Sequence, residues 1–190
     1  MKKLTAIILS AILFAGCSKD TDRETFIQGE PIQSVQTPQI TRVFNGSFSS
    51  TINTDPGITP MQCTGDLPGL FLPDHFLHGN AIHMGQLIWE QSTLRHLSCN
   101  LSFSTRQLTA SVSGQISAAN GDVIYYNGND VIDVTNLLTS QGITGSIQGV
   151  WNITGGTGRF EEASGSFSIN GLVDFTTGTF SVVANGTITY

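Results

Sequence analysis

Hydrophobic and polar residues alternate with a period of two along most of the chain, from about residue 41 to residue 190. This alternation predicts β-strands with one buried and one exposed face, because successive side chains of a strand point to opposite sides. Ser and Thr fill most of the predicted exposed positions, whereas apolar residues and several glycines fill the buried ones. The longest alternating runs are 108–118, 143–154 and 163–173, and the shorter ones are Phe44–Ile52, Leu97–Phe103 and Phe180–Ala184.

Residue pairs that tolerate positive φ separate several of these runs and predict tight turns between neighbouring strands. They are Asn120-Gly121, Asn127-Gly128 and Thr177-Gly178. No segment of ten or more residues has the periodicity of an amphipathic helix. The pattern therefore predicts an all-β domain over residues 41–190, an antiparallel closed barrel of about eight strands without exposed edges. A two-sheet sandwich is the alternative.

The N-terminus has the layout of a bacterial lipoprotein leader, in which two lysines precede an apolar run that ends at Gly16-Cys17. The segment before the cysteine resembles a lipobox. It predicts a signal peptide over residues 1–16 and lipidation of Cys17 by acyl chains such as palmitate. An ordinary signal peptide with an incidental cysteine is the alternative. Residues 17–40 lack apolar periodicity, so we expect the lipidated Cys17 to be followed by a flexible tether.

These features predict a protein anchored by lipid in the bacterial cell envelope. Ser18, directly after the cysteine, resembles an outer-membrane sorting signal and so predicts the outer membrane. The sequence leaves open whether the protein faces the periplasm or the cell surface. Cleavage before Cys17 removes Lys2 and Lys3 and leaves six basic against fourteen acidic side chains, a net charge of −8. Because this charge repels phosphate backbones, nucleic acid is not an expected partner. The expected partners are the membrane, a small apolar ligand and further copies of the chain.

Two cysteines remain for the domain, Cys63 and Cys99. A pair of cysteines in an oxidising compartment usually forms a disulfide, so we expect one here. Cys63 lies within residues 53–75, a stretch with four prolines and no alternation. Such a stretch predicts a long loop, held to the barrel at Cys63. This loop is either a lid over one mouth of the barrel or a passive connector.

A glycine-rich motif, Gly-Gly-Thr-Gly-Arg-Phe-Glu-Glu-Ala-Ser-Gly, occupies residues 155–165. It resembles a segment shared by plant dirigent proteins, allene oxide cyclases and many bacterial relatives. Three further segments resemble those of bacterial members: Ala81–Gly85, Ala118–Asp122 and Gly171–Ile188. The resemblance implies an eight-stranded barrel with an apolar interior, in which the motif is a structural turn. The glycines permit that turn, and Phe160 is available to plug the barrel.

Catalysis inside an apolar barrel needs polar side chains whose pKa is shifted by burial. The sequence offers three weak candidates for catalytic residues, His83, Glu90 and Arg159. His83 and Glu90 would form an acid/base pair if both pointed inward from adjacent strands, but the alternation favours an outward Glu90. A metal site is not expected from the four histidines, because His78 and His83 would face opposite sides of one strand. We expect no cofactor.

Together these observations predict a membrane-anchored, extracytoplasmic barrel without catalytic activity. It either binds a small hydrophobic or aromatic ligand or serves as a structural module of the envelope. The alternative is an isomerase or cyclase that acts on a hydrophobic substrate within the barrel, as the resemblance to the plant proteins implies. Free space inside the barrel is the test. An interior filled by large aromatic side chains leaves room for neither ligand nor substrate, and the candidates to fill it are Phe44, Phe48, Trp151, Phe167 and Phe180.

Overall fold

The computed structural model describes residues 38–139 and 143–190. The predicted signal peptide, the lipidated Cys17 and the predicted tether up to residue 37 lie outside these ranges. The twelve strands of the described part are β1 (Thr41–Ile52), β2 (Met61–Gln62), β3 (Thr64–Gly65), β4 (Phe71–Leu72), β5 (His75–Ala81), β6 (Gly85–Gln86), β7 (Thr93–Ser102), β8 (Gln107–Ser117), β9 (Val123–Asp133), β10 (Thr144–Gly156), β11 (Ser164–Asp174) and β12 (Thr179–Thr189).

The helical elements of the described residues are all short. They are α1 (Thr135–Leu138) and two 3₁₀ turns, Trp89–Gln91 and Gly158–Phe160. None of the helices in residues 38–139 and 143–190 has the length and apolar character needed to cross a membrane.

Eight strands close into a ring in which each pairs antiparallel with its two neighbours. Strands β7 to β12 pair in sequence order, β12 pairs with β1, and β1 pairs with β5. A short pairing between β5 and β7 closes the ring, where His75 lies opposite Leu94 and Phe76 lies opposite Thr93. The structure therefore confirms the predicted closed barrel of eight antiparallel strands and excludes a two-sheet sandwich.

The predicted alternation matches the observed faces of most strands. In β8 and β11, for example, most apolar side chains are buried inside the barrel and most Ser and Thr side chains lie on its outer wall, the exceptions being the buried Ser117 and the exposed Leu172. The prediction is wrong for four residues that are exposed, Ile52, Leu97, Phe103 and Ile143. Phe103 and Ile143 lie just outside β7 and β10, and Ile52 is the last residue of β1, whereas Leu97 lies within β7. The pairing of β7 with β8 shifts register between His96 and Ser98. Because a shift of one residue exchanges the two faces of a strand, His96 points inward before the shift and Cys99 points inward after it.

One predicted turn is also wrong. Asn127-Gly128 lies in the middle of β9, whereas the other two predicted turns are found between strands. Gly128 is opposite Trp151 on β10, and a Cβ atom at position 128 would lie 2.5 Å from Cδ1 of the indole. The glycine at this position therefore makes room for a large neighbouring ring.

Aromatic side chains fill one end of the barrel, which we call the closed end. Its aromatic plug consists of Phe44, Phe48, Tyr126, Trp151 and Phe167, all buried. Tyr126 stacks on Trp151 with ring centroids 4.5 Å apart, and Phe44 contacts Phe167 at 4.7 Å. Such pairs add to the hydrophobic free energy of burial. The glycine-rich motif lies at the same end, where its Phe160 is fully buried.

Residues 53–74 form a strap along the opposite end of the barrel. A disulfide joins Cys63 to Cys99 of β7, as the sequence predicts. Within the strap, β2 pairs with β4. Strand β3 pairs in parallel with β7, where Thr64 lies opposite Asn100. Backbone bonds from Asp66 to Leu101 and from Asn53 to Asp74 fix the strap further. The predicted loop is therefore held to the barrel wall by a disulfide and by backbone hydrogen bonds.

Candidate functional site

The barrel contains a cavity of about 210 Å³ at the end opposite the aromatic plug. Its wall is formed by side chains of seven of the eight barrel strands, all but β1, and its apolar members include Leu108, Ile132, Ile147, Val173 and Phe180. These residues are smaller than those of the plug, with the exception of Phe180, and the difference leaves the interior unfilled here. We call this end of the barrel the mouth.

The strap, helix α1 and the turn between β11 and β12 also line the mouth cavity. The strap contributes five residues to the wall, among them Leu70 and Leu72. Helix α1 contributes Leu137 and Leu138, which are otherwise exposed. The strap therefore covers one side of the barrel mouth, as the lid interpretation of the sequence expects.

A carboxylic acid lies in the wall of this apolar cavity. Asp130 of β9 is 3% exposed, and its Oδ1 accepts a hydrogen bond of 2.8 Å from Nε1 of Trp151. Burial raises the pKa of Asp130 to about 6, although the bond from Trp151 opposes the rise. Gly149 lies opposite on β10, and a Cβ atom there would lie 2.2 Å from Oδ1 of Asp130. The glycine therefore makes the space that the carboxyl group occupies.

His75 lies in the same cavity wall and is also 3% exposed. Its ring packs edge-on against Phe180, with centroids 5.3 Å apart. Its Nδ1 is buried and has no hydrogen-bond partner among the described residues. Burial, together with the nearby ring of His96, lowers the pKa of His75 to about 3. The imidazole is therefore neutral at physiological pH and offers one nitrogen as an acceptor.

His96 is the second histidine of the wall, with its ring centroid 5.6 Å from that of His75. Its Nδ1 lies 2.9 Å from the carbonyl oxygen of Pro73. Because a carbonyl only accepts, Nδ1 donates, which leaves Nε2 as the acceptor nitrogen of the neutral ring. Burial lowers the pKa of His96, although the bond to Pro73 and the charge of Asp74 oppose this.

The cavity thus combines an apolar wall with a carboxyl group and two imidazoles. Polar groups of this kind in an apolar pocket fix the orientation of a ligand and give it specificity. A carboxyl group with a pKa near 6 can also take up or release a proton near neutral pH. The spacing of the residues in the sequence does not suggest this cluster, because β5, β7 and β9 bring them together only in the folded barrel.

None of the three sequence candidates for a catalytic residue lines the cavity. His83 is not in a strand: it lies in the turn between β5 and β6, with a φ of 72°, and its Nε2 lies 3.1 Å from the carbonyl oxygen of Val43. Glu90 is exposed in the 3₁₀ turn Trp89–Gln91, so the two side chains do not enter the barrel from adjacent strands.

Arg159 lies at the closed end, remote from the cavity. Its guanidinium group donates to the carbonyl oxygen of His83, pairs with Asp122 at 3.5 Å and lies over the ring of Phe160. The sequence thus identifies two residues that contact each other, His83 and Arg159, but the contact holds a turn at the plugged end together. A structural role for the glycine-rich motif agrees with this geometry.

The fold and the cavity together define an eight-stranded antiparallel β-barrel with a small apolar pocket at one mouth. In comparison with solved structures, the chain is similar to a pterocarpan synthase dirigent protein, with a TM-score of 0.42 and 16% sequence identity. The match covers 81% of this chain and 87% of that one. No protein-family model and no curated protein sequence matches the chain. The function proposed below therefore comes from the cavity of this chain.

Proposed function

We propose that this protein is a lipid-anchored, extracytoplasmic β-barrel that binds a small apolar or aromatic molecule in the mouth cavity. The observation that carries the proposal is the cavity itself, which has about 210 Å³ of space and a wall that is mostly apolar. A cavity of about 150 Å³ lined by apolar side chains holds benzene. By that measure, the mouth cavity suits a ligand with one substituted ring.

The direct test is to add a one-ring probe, benzyl alcohol, to the full chain and measure binding by titration calorimetry. A variant that fills the cavity, Val134→Phe, should lose this binding, because Val134 lies in the cavity wall. Val183→Phe is the matched control, since Val183 is exposed on the outer wall of β12. Equal binding by both variants, or no binding by the unaltered chain, would contradict the proposal.

The lipid anchor is a separate part of the proposal and depends on the sequence of residues 1–17 alone. Mass spectrometry of the mature N-terminus tests it: a mature chain beginning at an acylated Cys17 is expected, and a free cysteine would contradict it. The Cys17→Ser variant should leave the membrane fraction. Export directed by the predicted signal peptide would place the barrel in an oxidising compartment, and the disulfide between Cys63 and Cys99 agrees with this. Self-association stays a prediction, which native mass spectrometry tests.

An isomerase or cyclase acting inside the barrel is the second candidate function. The observation that favours it is Asp130, a buried carboxyl group with a pKa of about 6 inside an apolar pocket. Such a group suits general acid/base catalysis near neutral pH. Native mass spectrometry of protein from its own envelope separates the two functions. A binding protein should retain its ligand unchanged, whereas an enzyme should convert it, and Asp130→Asn should abolish conversion without abolishing binding.

A further inference from the structure

Among the described residues, Asp130 is the one acidic side chain that lines the mouth cavity, and no positively charged side chain there balances it. Asp130 is buried in the wall, and its hydrogen-bond donor is the uncharged indole N–H of Trp151. Among the described residues, no lysine or arginine lines the cavity. The two histidines of the wall have lowered pKa values, so they do not supply a positive charge near neutral pH.

The arginines of the described chain lie elsewhere. Arg42 lies over the ring of Tyr190, Arg95 is exposed and pairs with Asp74 at 3.8 Å, and Arg159 lies at the closed end. Arg106 directly precedes β8, near the exposed Asp133. Hydrogen bonds from Thr135 lower the pKa of Asp133, and the charge of Arg106 lowers it further. Within the cavity, the carboxylate of Asp130 therefore has no cationic partner from residues 38–139 or 143–190.

The other polar atoms of the wall are mainly acceptors. His96 uses its Nδ1–H on Pro73 and leaves Nε2 as an acceptor, and a neutral His75 adds one acceptor nitrogen and one N–H group, with no partner for its Nδ1 among the described residues. Tyr126, the other titratable group near Asp130, donates its hydroxyl to the carbonyl oxygen of Thr93 and stays neutral, since burial raises its pKa. A wall rich in acceptors and containing one anion calls for a ligand that brings hydrogen-bond donors and a positive charge.

We propose that the natural ligand of the mouth cavity is an organic cation, a protonated amine on a small apolar or aromatic body, with its ammonium group against Asp130. This inference rests on the proposed ligand-binding function. The apolar body would contact the leucine, isoleucine and valine side chains of the cavity. The ammonium group would donate to the Asp130 carboxylate. A second N–H donor on the ligand could bond Nδ1 of His75, which has no partner among the described residues, in the tautomer that leaves this nitrogen unprotonated. The acidic charge of the mature chain attracts the same class of molecule.

The test compares two probes of nearly equal size, benzylamine and benzyl alcohol, on the full chain at pH 7.5. Asp130 is ionised at this pH although burial disfavours its charge. A bound cation can offset that cost, and each unit by which burial raises the pKa of Asp130 corresponds to a gain of about tenfold in the affinity of the cation. Benzylamine is therefore expected to bind at least about tenfold more tightly than benzyl alcohol. At pH 5, where Asp130 is mostly protonated, the advantage of benzylamine should fall by about tenfold.

Two variants assign the preference to the cavity. Asp130→Asn should remove the advantage of benzylamine and leave benzyl alcohol binding in place, because the amide oxygen still accepts from Trp151. Asp133→Asn removes the same charge from the outer wall of the same strand and should leave the ratio of affinities unchanged.

The outcomes separate this inference from the proposed function. If benzyl alcohol binds and benzylamine has no advantage, the cavity binds ligands but the cation inference is wrong. A preference that survives in Asp130→Asn, or that falls equally in Asp133→Asn, also overturns the cation inference. If neither probe binds, the proposed function itself fails and the inference fails with it.

Discussion

Replacing Asp130 by asparagine should stabilise the barrel at alkaline pH. The substitution keeps the shape of the side chain and an oxygen that accepts from Nε1 of Trp151, while it removes the buried charge. A group whose pKa is raised on folding favours the native state only while it is protonated. The contribution of Asp130 is therefore fully present below its ordinary pKa of 3.8 and is lost as the pH rises through its folded pKa of about 6.

The magnitude follows from the difference between these two pKa values. Each unit corresponds to about 1.36 kcal/mol, so an ionised Asp130 costs the native state about 3 kcal/mol. We expect Asp130→Asn to raise the free energy of unfolding by about 3 kcal/mol at pH 8 and by only about 1 kcal/mol at pH 4.5. At pH 8 the corresponding rise in Tm is about 6–12 °C for a domain of this size.

Urea denaturation at both pH values, with the disulfide intact, measures this difference. Asp133→Asn on the same strand is the control, because Asp133 is exposed and its pKa is lowered, chiefly by hydrogen bonds from Thr135. That control should show no gain in stability at pH 8. Equal gains for Asp130→Asn at pH 8 and pH 4.5 would refute the reasoning, since they would show that the buried charge is not the cause. A loss of stability at pH 8 would refute it as well.

Three further predictions concern other parts of the barrel. The pKa of His75 falls to about 3 on folding, so the unfolded chain binds a proton there more readily than the native barrel. The free energy of unfolding should therefore drop by up to about 5 kcal/mol as the pH falls from 6.5 toward 3. The His75→Phe variant should lack this acid sensitivity in pH-dependent denaturation. Replacing both Cys63 and Cys99 by serine opens a loop with a sequence separation of 36 and should lower the free energy of unfolding by about 3–4 kcal/mol, and a reductant should then have no further effect. Phe160→Ala should cost about 3–5 kcal/mol in chemical denaturation because it leaves a cavity where a fully buried ring was, whereas Phe71→Ala, at an exposed strap residue, should cost much less.

The closed barrel could be predicted from the sequence because its walls follow one simple rule. Ser and Thr alternate with apolar residues through most of each long strand, and the burial of β8, β11 and β12 follows that pattern. The errors occur where a contact between strands overrides the local signal. Asn127-Gly128 has the composition of a turn, yet Gly128 serves the packing of Trp151. Leu97 is an apolar residue of the kind that is usually buried, yet a register shift between His96 and Ser98 places it on the outer face of β7.

The cavity residues were missed for a related reason. His75 and His96 lie on strands whose pairing is not evident from their spacing, and β5 meets β7 through only a short pairing. Asp130 did leave a signal: it occupies an inward position of β9, in step with Tyr126, Gly128 and Ile132. A charged residue at a position that alternation assigns to the interior indicates a site with a special role. His83 and Glu90 drew attention as polar residues, but neither holds such an inward position.

Asp130 connects the two halves of the barrel interior, and its chemistry differs between them. Toward the closed end it accepts a hydrogen bond from Trp151, a need that the amide oxygen of an asparagine would meet without any buried charge. Packing of the plug therefore does not explain why the side chain is ionisable, and the charge costs the native state stability near neutral pH. Toward the mouth the same carboxyl group lines an apolar cavity whose other polar groups are neutral histidines. A ligand that carries a positive charge would offset that cost on binding, so the destabilising feature of the free barrel becomes the basis of its selectivity.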